Sequence, residues 1–85
     1  MDRIFITNQI KFDILTTGGM PANNPYNLLA ATTLIKVGYN DEIRCRLLEQ
    51  RLHQIAQEYN TGKRVMEGAI SQDLTVRECI QLVIA

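Results

Sequence analysis

The sequence predicts a mainly α-helical fold, a small bundle of three to four helices built on an αα-hairpin. Three observations predict it. Cys45, Leu48, Leu52, Ile55 and Tyr59 recur at alternating spacings of three and four, the period of one helix face. Asn24-Pro25 reads as a helix start and Gly38-Tyr39-Asn40 as a tight turn into the next helix. Thr75 and Glu78 stand in capping-box register ahead of an apolar run.

In chain order, residues 1–17 read first as an extended arm or hairpin. Ile4, Ile6, Ile10, Phe12 and Ile14 fall at even positions, while Thr7, Gln9, Lys11 and Asp13 hold odd ones. A helix is the rival reading, since Ile6, Ile10 and Ile14 also recur every four residues and Thr17-Gly18-Gly19 suits a helix end. Thr16 to Asn24 is a loop rich in Gly, Pro and Asn. Residues 25–37 are expected to be a central helix carrying Tyr26, Leu28, Leu29, Leu34, Ile35 and Val37. Asn40 is the expected N-cap of a second helix over 41–59, with Asp41 and Glu42 at its positive end. A short helix is expected over 63–70, weakened by Gly68, and a last one over 76–84. Tyr26, Leu48, Leu52 and Tyr59 are the expected core.

The chain, 1–85, reads as a single domain whose own core is thin, because a chain this short buries only about 60–65% of the surface it exposes when unfolded. Two amphipathic helices, an alternating arm and the apolar Leu82 to Ala85 end all need cover, so a homodimer is expected. Nine Lys plus Arg balance nine Asp plus Glu, which removes any overall field toward nucleic acid or an anionic membrane and favours self-association. The opening residues lack an uninterrupted apolar run and no segment is long enough to span a membrane; a cytoplasmic location is the expectation.

Chemistry-bearing patterns are sparse, and no catalytic, cofactor-binding or metal-ligating residue is predicted. Cys45 and Cys79 lie on apolar stripes too far apart for a zinc knuckle or a redox pair, and read as buried thiols. His53 has Glu49 one turn before it, a pairing that usually marks a helix-surface contact rather than an acid–base couple. Gly62-Lys63 fails as a phosphate-binding loop, because Gln57 stands where the first glycine belongs and Arg64 where a hydroxyl should hold magnesium. Ser71 has neither a neighbouring histidine nor flanking glycines of a nucleophile elbow.

Two threadings resemble DNA-binding motifs. Leu52 to Ile70 resembles a helix-turn-helix, with Ile55, Ala56 and Tyr59 on the first helix and Met66 and Ala69 inside the second, which leaves Lys63, Arg64 and Glu67 for groove contacts. Ile4 to Ile14 resembles the ribbon of a ribbon-helix-helix dimer, with Arg3, Thr7, Gln9 and Lys11 toward the groove. Ile70-Ser71-Gln72-Asp73-Leu74 is similar to a short motif of small aspartyl-phosphate phosphatases of spore formers, but Thr75 stands at that family's essential aspartate and the activity is not carried over.

The sequence therefore points to a small cytoplasmic regulatory or assembly protein that acts through protein–protein contacts without catalysis. Arg44, Arg51, Gln54 and Glu58 are its expected partner-facing residues. The alternative is a DNA-binding transcriptional regulator of helix-turn-helix or ribbon-helix-helix type, reading DNA through Lys63, Arg64 and Glu67.

Overall fold

Among the described residues three α-helices organise the fold: α1 (Arg3–Thr17), α2 (Glu42–Glu58) and α3 (Val76–Ile84). The computed structural model describes residues 2–84, Tyr26 by its backbone alone, so the expected core role of Tyr26 and the end at Ala85 lie outside the described residues.

α1 replaces the expected extended arm. Ile6, Ile10 and Ile14 are at most 1% exposed, whereas Ile4, from the same alternating set, is 76% exposed. The period of four therefore governs, and the apparent period of two splits across opposite sides of a helix. Asp2 caps the start by accepting from the Phe5 N–H at 3.1 Å. The end is a Schellman motif: Gly19, at φ 78°, lets its own N–H reach Thr16 O and the Met20 N–H reach Leu15 O at 2.9 Å.

Residues 25–37 do not form an α-helix, so the expected αα-hairpin is absent. The Asn24-Pro25 start yields one 3-10 turn, Pro25–Asn27, and a second turn covers Leu34–Val37. Between them the backbone is claimed by the approach to α3. Thr33 bridges Thr75, the Val76 and Arg77 N–H groups donate to Thr32 O and Ala30 O, and the Leu34 N–H donates to Leu74 O. These bonds satisfy the otherwise orphaned first amides of α3, a tertiary gain that local helix propensity does not match. Leu28, Leu34 and Val37 still reach the core.

Gly38 is left-handed at φ 101°, as its place in the turn requires. The N-cap of α2 is Asp41 rather than Asn40, its carboxylate accepting from the Arg44 N–H at 2.9 Å. Cys45, Leu48, Leu52, Ile55 and Ala56 form the buried face of α2, while Tyr59 is half-buried and meets Phe5 edge-on at 5.8 Å. α1 and α2 run antiparallel, since Phe5 lies by Tyr59 at one end and Gly18 by Arg44 at the other. Residues 63–70, expected as a short helix, are a loop with left-handed Gly62 and Gly68 at either end. Val65 and Ile70 both plunge into the core from it, a spacing of five that suits no helix face.

α3 opens on its capping box: Thr75 Oγ1 accepts from the Glu78 N–H at 3.2 Å, and the Glu78 carboxylate accepts from the Thr75 N–H at 3.1 Å. Val76, Cys79, Val83 and Ile84 are buried, so the apolar end docks on the chain's own core. Among the described residues there is no β-strand beyond the isolated Thr33–Thr75 bridge, and no helix is long and apolar enough to cross a membrane.

Candidate functional site

The polar chemistry of the chain gathers where α2 meets the 60–70 loop. Glu49 sits on the buried stripe of α2, one turn after Cys45, and is 3% exposed. Its Oε2 accepts from the N–H groups of Gly68 at 3.0 Å and Ile70 at 2.9 Å, and from Arg46 Nη2 at 2.9 Å. Arg46 in turn donates to Ile70 O at 2.7 Å and pairs loosely with Glu42, while its Nε is buried without an acceptor. One turn further on, His53 Nδ1 accepts from the Val65 N–H at 3.2 Å. The acid and the imidazole thus serve as caps for a loop whose amides cannot find helical partners. Neither is left as a free acid–base couple.

Beside this staple lies an open cleft of about 630 Å³, lined by His53, Gln57 and Asn60 of the α2 end and by Lys63, Arg64 and Glu67 of the loop. Lys63, Arg64 and Glu67 therefore stand on a loop wall and not on a second helix. The ribbon of the other DNA-binding threading is likewise missing, because Arg3, Thr7, Gln9 and Lys11 belong to α1.

The four partner-facing candidates separate. Arg44 is half-buried and turned into the fold: its Nη1 donates to Gly18 O at 2.9 Å and Gly38 O at 2.8 Å. Arg51, Gln54 and Glu58 are exposed on one stripe of α2 that also carries Ile43, 71% exposed, and Leu47, 47% exposed. Arg51 and Leu47 share a shallow depression with Thr16 and Thr17 of α1. Asp13 of α1 faces the same region; burial pushes its carboxyl above the usual carboxylate range, with Arg51 opposing the shift and Glu58 adding to it.

Both cysteines are buried free thiols, and burial raises both, Cys79 to about 12, which leaves them protonated. Among the described residues no group of three or more His, Cys, Asp or Glu side chains is placed to hold a metal ion. Ser71, Gln72 and Asp73 lie in the turn before α3, and Ser71 is exposed.

Sequence reasoning missed Arg46 and the burial of Glu49. A signal existed: position 49 is four after Cys45 and three before Leu52, so its carboxylate falls on the stripe that names the core. Comparison of the chain with family models, with curated proteins and with solved structures finds no match in any of the three.

Proposed function

We propose that this chain is a small regulatory or assembly protein that acts through protein–protein contacts, without catalysis, and that its first partner is a second copy of itself. The observation that carries the reading is the outward stripe of α2. Ile43 and Leu47 stand in solvent one turn apart, and the same stripe continues through Arg51, Gln54 and Glu58. Two exposed aliphatic side chains on one helix face, flanked by polar ones, have the apolar-centre and polar-rim make-up of a contact surface. The charges favour a copy of the same chain: Arg51 and Glu58 lie seven residues apart, so a two-fold axis can set each against the other's partner. Zero formal net charge leaves no long-range repulsion between copies.

The absence of catalysis in this reading rests on how the reactive groups are used. Glu49 and His53 hold loop amides, and both thiols are buried and raised. Sedimentation equilibrium of the wild-type chain and of an Ile43→Glu/Leu47→Glu variant tests the proposal. The wild type should self-associate with rising concentration and the variant should sediment as a monomer with unchanged helical circular dichroism. A wild type that stays monomeric at the highest attainable concentration overturns self-association. Steeply salt-dependent binding to duplex DNA would put the DNA-binding class in its place.

A further inference from the structure

We propose that the cleft between the end of α2 and the 60–67 loop binds a small phosphomonoester, held by Lys63, Arg64 and the Nε2–H of His53. The cleft shares no lining residue with the stripe that runs from Ile43 to Glu58, and the proposal stands independently of self-association. Its volume, about 630 Å³, falls within the roughly 300–1,000 Å³ of small-molecule sites.

The lining is rich in donors. Ala56 and the buried Val65 give an apolar floor, the Gln57 and Asn60 amides stand beside it, and Lys63 and Arg64 bring two cations. His53 adds a donor of known sense. Because Nδ1 accepts from the Val65 N–H at 3.2 Å, it carries no proton, and a neutral imidazole must then carry its proton on Nε2. An ammonium, a guanidinium and an imidazole among the residues of one cleft suit the three terminal oxygens of a phosphate better than the two of a carboxylate.

The scaffold under these groups is fixed. Val65, Gly68 and Ile70 are tied by their amides to His53 and Glu49, so the loop's cations start from an ordered backbone and less freedom is lost on binding. Gly62, at φ 82°, has no atom beyond itself and its chain neighbours within 4 Å of where a Cβ would sit, which leaves its backbone open to close approach. Glu67 is the opposing charge in the lining; Lys63 plus Arg64 minus Glu67 leaves one net positive charge for an anion to meet.

The test is an amide-resolved NMR titration of the full chain with inorganic phosphate, run against acetate and chloride at matched ionic strength. Phosphate should give saturable shifts across Gly62 to Glu67 that the other two anions do not. Lys63→Ala/Arg64→Ala should weaken binding by about ten-fold or more, and Glu67→Gln should strengthen it by about two- to three-fold. Lys36→Ala, outside the lining, should leave it unchanged. Equal shifts with chloride, or a phosphate titration unaltered by the double substitution, overturn the proposal. Should the double variant lose its fold, failure of Glu67→Gln to tighten binding overturns it alone.

Discussion

At the scale of single residues, most of the polar side chains that matter hold backbone. Gly18 and Gly38 face each other so closely that a Cβ on Gly38 would collide with Gly18 O, and Arg44 ties both carbonyls together. Gly62 shares the left-handed backbone but has open space around it. Gly62→Ala should therefore cost about 1 kcal/mol in strain, and Gly38→Ala about 3 kcal/mol or more, because overpacking adds to it; chemical denaturation of the two variants measures the difference. Asp13 carries a pH signature. A carboxyl raised in the folded state destabilises that state once ionised, so its penalty is present at neutral pH and relieved as pH falls through the raised value toward 3.8. Asp13→Asn should raise the melting temperature at neutral pH, with the gain vanishing in acid. A constant gain across that window would place its cause elsewhere.

At the scale of elements, α1 carries the clearest lesson about what the residues disclose. Its spacing satisfied both a strand and a helix, and burial separates them: Ile10→Ala should cost about 3 kcal/mol and Ile4→Ala less than about 0.5 kcal/mol, read from denaturation midpoints. On a strand the two would lie on one face and cost alike. α2 was legible because its stripe and its acidic first turn agree, and α3 because a capping box is a local device. Residues 25–37 were not legible as turns. Their fate depends on amides of Val76 and Arg77 more than forty positions away, a pairing no local window contains. The 63–70 loop was hidden for a similar reason, since its amides are met by Glu49 and His53 of another element.

At the scale of the whole molecule, one copy closes its own core. The radius of gyration is 11.4 Å, against about 12 Å expected for a folded chain of this length, and Val83 and Ile84 are buried without a neighbour's help. The proposed self-association therefore does not rest on an unfinished core, as length and hydropathy suggested; its support is the outward Ile43–Leu47 stripe. Of the candidate site, the cations Lys63 and Arg64 could be named from the sequence, but their place on a cleft wall required the loop that Glu49 and His53 shape.

That shaping is the claim on which the candidate site turns, and amide hydrogen exchange across 62–70 tests it most directly. The wild-type chain should protect Val65, Gly68 and Ile70 while Gly62 and Arg64 exchange freely, and Glu49→Ala should strip protection from Gly68 and Ile70 at a stability loss of about 3 kcal/mol. Continuous protection from residue to residue along 63–70, undisturbed by Glu49→Ala, would mean a helix there and would contradict the account.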